Sequence, residues 1–304
     1  MNKARRKISE AMPEIDLVIE VLDARLPFSS TNPMVDELRR GKLCIKVLNK
    51  ADLADPKQTQ AWVKHFEQQQ DTKALPMVAE DRNQTNKLIT LIKQFGATRS
   101  SKNLSTRVMI MGIPNVGKST LINALSGRNI AKTGNEPAVT KSNQMIDLKN
   151  GIVLSDTPGI LWPKFENMAS GYRLAASGAV KDTAIEYTDV AHYALAYLLE
   201  YYPQELSDRF KFKTLPTTAE EALKAIAQRR GCLKPGGILD THKAAELCLH
   251  ELRAGKIGLI TLETPALVMK ELAIIKEQEE ARLAAELEAA KAEKDRTNSS
   301  RFEE

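Results

Sequence analysis

Two short runs of residues in this chain have the types and spacing to hold a purine nucleotide from opposite ends. Gly112-Ile113-Pro114-Asn115-Val116-Gly117-Lys118-Ser119 matches the phosphate-loop pattern, a strand-to-helix turn whose backbone N–H groups cradle phosphate oxygens. The helix that follows adds the positive end of its dipole. Lys118 brings a mobile positive charge to the β- and γ-phosphates, and the Ser119 hydroxyl is expected to ligate Mg²⁺. Asn115, Val116, Gly117 and Thr120 complete the expected phosphate-binding set. Asn49-Lys50-Ala51-Asp52 has the chemistry for the other end. The Asp52 carboxylate can accept hydrogen bonds from the guanine N1–H and 2-amino group. Adenine offers neither donor and would leave the carboxylate unpaired, which argues against an ATP-using enzyme. Lys50 is expected to lay its aliphatic stem along the base, and Asn49 to tie this loop to the phosphate loop.

Three further positions extend the site. Asp156, in Asp156-Thr157-Pro158-Gly159, is placed to hold Mg²⁺ through water, with the Gly159 N–H meeting the γ-phosphate. Thr140, in Glu136-Pro137-Ala138-Val139-Thr140, suits a first-switch threonine that also reaches Mg²⁺. In Val78-Ala79-Glu80 no serine is present, so only the Ala79 backbone N–H is left as a second base contact. The order of the motifs matters as much as their content. Ordinary GTPases open with the phosphate loop and carry the guanine reader far downstream; here the reader comes first.

The elements that must position these residues follow from hydrophobic periodicity. Strands are expected at Ile15–Leu22, Leu43–Leu48, Ala74–Val78 and Arg107–Met111, with a hairpin formed by Met145–Leu148 and Ile152–Leu154. Between them, Asp55-Pro56 reads as an N-cap and first helical residue of a helix to about Gln70. Asn86–Phe95 reads as a helix ending at Gly96, and Lys118–Leu125 as one opening on the phosphate loop. That alternation implies an α/β sheet with helices on both faces. Thr98 to Thr106 reads as a surface connection. Past about residue 165 only helical patterns of comparable strength occur, at Asp189–Tyr202, Ala219–Arg230 and Leu239–Ala254. The expected division is a nucleotide-binding domain over 1–165, a smaller, mainly α-helical domain over 166–265, and a charged helical or disordered tail over 266–304, where Glu, Ala and Lys dominate.

Composition bounds the partners and the compartment. Of 304 residues, 27% are charged and 42% hydrophobic, with a net charge of +5 concentrated ahead of the Glu-rich tail. A basic body suits a polyanionic partner. Arg229, Arg230, Lys234, Lys243, Arg253 and Lys256 are the candidate RNA phosphate contacts on the helical part. No apolar run is long enough to span a bilayer, and the basic start lacks the apolar stretch of a secretory signal. Cys44, Cys232 and Cys248 show no metal-ligand spacing and fit a reducing cytoplasm as small buried hydrophobes.

From Met1 to about Pro265 the chain resembles the circularly permuted GTPases, most closely the ribosome-biogenesis GTPase A family. The resemblance is carried by Ala4-Arg5-Arg6, Asp23-Ala24-Arg25, Asn49 to Asp52, Gly112 to Ser119, Pro137 to Thr140 and Asp156 to Gly159. Farther on it is carried by Gly231-Cys232-Leu233, Gly255-Lys256-Ile257-Gly258 and Thr261-Leu262-Glu263. It implies a P-loop GTPase fold of permuted order, GTP/GDP and Mg²⁺ as ligands, and late assembly of the large ribosomal subunit through its rRNA. A slow GTP hydrolase is expected, because Ile160 stands where many GTPases carry a water-orienting glutamine. Family members carry a histidine upstream of the basic opening, whereas His65, His192, His242 and His250 lie elsewhere. Either a short segment precedes Met1, which is the expectation, or activation rests on the partner. Asn115 matches the asparagine of potassium-stimulated GTPases, which adds K⁺ as an expected ion. The rival reading is a GTP-dependent scaffold or signalling protein that recruits a protein without touching RNA.

Overall fold

The computed structural model describes residues 2–39, 41–97, 105–130, 144–157 and 167–301. Its centre is a six-stranded sheet of order β3-β2-β1-β4-β6-β5. In chain order the strands are β1 (Leu17–Asp23), β2 (Leu43–Asn49), β3 (Thr72–Pro76), β4 (Thr106–Gly112), β5 (Gln144–Asp147) and β6 (Ile152–Asp156). Five run parallel; β5 alone is antiparallel, to β6, as the expected hairpin. The helices are α1 (Asn2–Ala11), α2 (Pro33–Arg39), α3 (Pro56–Phe66), α4 (Arg82–Ala97), α5 (Lys118–Ser126), α6 (Met168–Ser177), α7 (Tyr187–Tyr201), α8 (Pro203–Phe210), α9 (Ala219–Arg230), α10 (Thr241–Arg253) and α11 (Pro265–Arg301).

Strand side chains alternate faces, and two separate cores follow from that period of two. Leu17, Ile19, Val21, Ile45, Val47, Val108 and Ile110 pack on one side with Leu88 and Ile92 of α4 and Leu121, Ile122 and Leu125 of α5. Val18, Cys44, Met109 and Met111 point the other way, onto Ile8, Met12, Val35 and Leu38. That second face also buries Glu20, whose carboxylate bonds the Lys46 ammonium at 2.7 Å and the Asn32 N–H at 2.8 Å. All three cysteines are buried and free. Burial, the largest influence, pushes the Cys44 and Cys248 thiols up to about 12, which makes them inert fillers.

Local chemistry sets the helix ends. Asp55 caps α3 with its carboxylate on the Lys57 and Gln58 N–H groups, but the helix stops at Phe66 rather than near Gln70. Thr218 and Asp240 cap α9 and α10, and Gly231 ends α9 in the left-handed conformation. α1, α2, α6 and α8 were not legible as helices. All four are short, at seven to ten residues, and among its described side chains α1 meets the core through Ile8 and Ala11.

After α10 the chain returns to the nucleotide loops instead of ending on the helical layer. The Ile260 N–H donates to the Leu53 carbonyl at 3.1 Å, and the Leu262 N–H to the Arg25 carbonyl at 2.7 Å. Thr261 Oγ1 accepts from the Asp55 N–H, and Trp62 Nε1 donates to the Glu263 carbonyl, both at 3.1 Å. The Glu263 carboxylate, fully buried, accepts from the Phe28 and Ser29 N–H groups and the Ser29 hydroxyl, and pairs with Arg173 of α6 at 3.4 Å. Residues 1–264 accordingly form one compact unit. Residues 265–304 form another, in which α11 carries exposed pairs such as Arg282–Glu286 one turn apart. Among the described residues no helix is long and apolar enough to cross a membrane.

Candidate nucleotide site

The carboxyl ends of β1, β2, β4 and β6 bring together motifs that are far apart in the chain. β2 delivers Asn49, β4 delivers Gly112 and the phosphate loop, and β6 delivers Asp156, opposite Ile110 in register. Direct bonds then join the two loops. Asn49 Nδ2 donates to the Val116 carbonyl at 2.8 Å, and Lys50 Nζ to the Asn115 carbonyl at 2.7 Å. This approach depends on Gly117: its φ is +92°, and a Cβ there would lie 2.2 Å from Asn49 Nδ2. Lys50 is itself left-handed at φ +59°, which turns the chain into the short 3₁₀ turn Ala51–Leu53 and leaves Asp52 exposed at the rim.

On the phosphate side, Lys118 is the first residue of α5, and its buried ammonium contacts the Asp156 carboxylate directly. Burial, the leading influence, lowers the Lys118 pKa, and Asp156 opposes that shift. Thr157 Oγ1 donates to the Ile110 carbonyl at 2.8 Å and pins the end of β6 to β4. Ser119 and Thr120 follow Lys118 in the first turn of α5, half-buried. No cluster of three or more His, Cys, Asp or Glu side chains exists among the described residues to hold a metal alone. A hydroxyl and a carboxylate are the donor set of a hard cation that takes its other ligands from phosphate and water.

Several expectations need revision. The Ala79 N–H donates to Asn49 Oδ1 at 3.0 Å, so it braces the asparagine that ties the two loops instead of standing free for the base. Asn115 Nδ2 donates to the Gly178 carbonyl at the end of α6, tying the phosphate loop to the helical layer. Arg253 leaves the set of RNA candidates, because its guanidinium bonds the Ala175 and Ala176 carbonyls and Asp182. Arg230 is engaged by Glu251 at 3.2 Å and by the Phe210 ring. Arg229, Lys234, Lys243 and Lys256 are exposed and form no salt bridge among the described residues. Thr140, Gly159 and Ile160 lie outside the described residues.

Two buried ion pairs were not assigned by motif reading: Asp23 with Arg25, which contacts Lys50 of the base loop, and Arg173 with Glu263, which joins α6 to the segment after α10. The available signal for the first was an acidic and a basic residue two apart at the end of the strand beside the guanine reader. Behind Lys50 a cavity of about 780 Å³ opens toward the helices, lined by Arg25, Asn115, Gly178, Asp182 and His250 among others.

Comparison with known proteins agrees with this geometry. A family model described as "50S ribosome-binding GTPase" matches residues 107–211, beginning at the strand that feeds the phosphate loop and leaving Asn49–Asp52 upstream of it. A protein of Priestia megaterium named "Ribosome biogenesis GTPase A" is 45% identical over 274 residues, covering 88% of this chain and 95% of that one. The chain belongs to the ribosome biogenesis GTPase A family. A Thermotoga maritima member of the family is 32% identical over 265 residues, covering 87% of this chain and 92% of its own length. The solved GDP-bound structure of YlqF is 30% identical, with a TM-score of 0.63, and covers 86% of this chain and 100% of that one. The GNP-bound YlqF of T. maritima has a TM-score of 0.61 at the same identity. As a member of the ribosome biogenesis GTPase A family the chain is a guanine-nucleotide-binding GTP hydrolase built on a permuted P-loop GTPase fold.

Proposed function

We propose that this GTPase is an assembly factor of the large ribosomal subunit that binds ribosomal RNA through its helical part and uses GTP to time its release. The observation that carries the nucleotide half is the pair of bonds from Asn49 and Lys50 to the phosphate loop, which joins the permuted motifs into one cleft. Asp52 reads guanine, and Lys50 lies along the base. The amides of Asn115, Val116 and Gly117, with Lys118 and Thr120, hold the phosphates; Gly159 meets the γ-phosphate. Ser119, Asp156 and Thr140 would hold Mg²⁺, which neutralises phosphate charge. The Lys118–Asp156 contact separates as each group turns to its own ligand. Ile160 cannot orient water, so hydrolysis is slow until the ribosomal partner supplies that function. Potassium enters only through Asn115, and faster hydrolysis in K⁺ than in Na⁺ would support it.

The large subunit as target is supported by the description "50S ribosome-binding GTPase" of the matching family model, and a ribosomal partner in general by the relatives' name. Residues 1–165 act as the nucleotide domain, 166–265 as the RNA-binding domain in the cytoplasm, and 266–304 as a tail. Arg229, Lys234 and Lys243 cluster where α9 turns into α10, beside the exposed Leu233 and Ile238, a mixed basic and apolar surface suited to RNA. The deciding experiment is co-sedimentation with ribosomal particles in a non-hydrolysable GTP analogue, together with the ribosome profile of depleted cells. An immature large particle that accumulates on depletion and binds the loaded protein is the expected outcome. A normal profile and no co-sedimentation would favour the scaffold reading. Asp52→Asn is expected to move base preference from guanosine to xanthosine nucleotides in competition binding, and unchanged preference would remove the base-reading role.

A further inference from the structure

The Asp23-Ala24-Arg25 turn at the end of β1 has no part in the chemistry above, yet it is bonded to the base loop by both main chain and side chain. The Ala24 N–H donates to the Asn49 carbonyl at 2.8 Å. Asp23 Oδ2 accepts from Lys50 Nζ at 3.0 Å and from Arg25 Nη2 at 2.7 Å, while Oδ1 accepts from Arg25 Nε at 2.9 Å and the Arg25 N–H at 3.0 Å. The Asp23 N–H is held by Ser30 Oγ at 3.0 Å. Asp23 and Arg25 are 3% and 5% exposed, so neither side chain has room to move. Arg25 is anchored from behind, with Nη1 on the Arg253 carbonyl at 3.0 Å and its own carbonyl taking the Leu262 N–H.

Lys50 therefore has its ammonium fixed at two points, Asp23 and the Asn115 carbonyl, which ties its side chain to both the β1 turn and the phosphate loop. A lysine side chain loses rotamer entropy when held in one conformation. Ordering it in advance removes that cost from nucleotide binding. We propose that Asp23 is a positioning residue for guanine-nucleotide binding, acting by holding Lys50 extended against the phosphate loop, with Arg25 as the clamp that holds Asp23. The proposal rests on the reading of Lys50 as a base contact.

A double-mutant cycle on the full chain tests it, with fluorescent GDP titrated into the parent, Asp23→Asn, Lys50→Met and the double variant, each well below its own melting temperature. Lys50→Met and Asp23→Asn are each expected to weaken binding about tenfold, and the double variant to bind within about twofold of Lys50→Met alone. A purely structural role for Asp23 would instead weaken binding by the same factor in both Lys50 backgrounds, and that result overturns the proposal while leaving the role of Lys50 intact. If Lys50→Met alone leaves affinity unchanged, the base contact falls and the proposal with it. Should Asp23→Asn fail to fold, Arg25→Gln runs the same cycle: a loss beside Lys50 that vanishes in the Lys50→Met background supports the clamp, and an equal loss in both overturns it.

Discussion

At Gly117 a single methyl group would stand 2.2 Å from Asn49 Nδ2, on a backbone whose positive φ already disfavours any side chain. Gly117→Ala must push the base loop and phosphate loop apart. Strain of about 1–3 kcal/mol at such a position predicts roughly tenfold or greater loss of GDP affinity, read by fluorescence titration. The buried carboxylate of Asp23 makes a second residue-scale prediction. Burial, its largest influence, pushes the carboxyl up, but the Arg25 guanidinium and then the Lys50 ammonium outweigh it and hold it well below its ordinary 3.8. The folded chain thus binds that proton less readily than the unfolded chain. The resulting stability is complete above 3.8 and is lost as pH falls below it, toward the depressed folded value. Denaturation midpoints followed down through the carboxylate range should fall more steeply for the parent than for Asp23→Asn.

Among the elements, those with chemistry or strong period at their ends were legible from residues alone. The phosphate loop, the guanine reader and the Asp55 cap are each written in a few consecutive residues, so local pattern carries them even where, as for Asn49 and Lys50, the bonds they form are distant. The apolar runs of β1, β2 and β4 placed those strands to within about two residues at each end. What escaped was chemistry whose partners lie far away in the chain. Arg25 meets the Arg253 carbonyl, Trp62 meets Glu263, and Arg173 of α6 meets that same glutamate. Nothing near Arg253 in sequence shows that its side chain faces Ala175 and Asp182 instead of solvent. The Arg173–Glu263 pair makes an element-scale prediction. Arg173→Met leaves a carboxylate buried with only Ser29 and Phe28 donors, and should cost about 3–5 kcal/mol in urea denaturation. Adding Glu263→Gln should recover part of that loss, because the stranded charge is then gone.

For the molecule as a whole, the proposed RNA contacts are the exposed cations at the α9–α10 turn, which form no salt bridge among the described residues. If those cations meet RNA phosphates, the slope of log affinity against log salt is set by their number. Replacing Lys234 with alanine should reduce that slope by about 0.7–0.9 and weaken unrelated RNA sequences equally, in filter binding across a salt series. A flat salt response would count against electrostatic docking.

The return of residues 260–263 to Leu53, Arg25 and Ser29 also sets when these contacts can form during synthesis of the chain. A nascent chain that has emerged only as far as β6 already contains Asn49, Lys118 and Asp156, yet the segment that bonds the Leu53 carbonyl is still to be made. A chain interrupted midway thus carries every recognisable motif without the bonds that hold Leu53, Arg25 and Ser29 from behind.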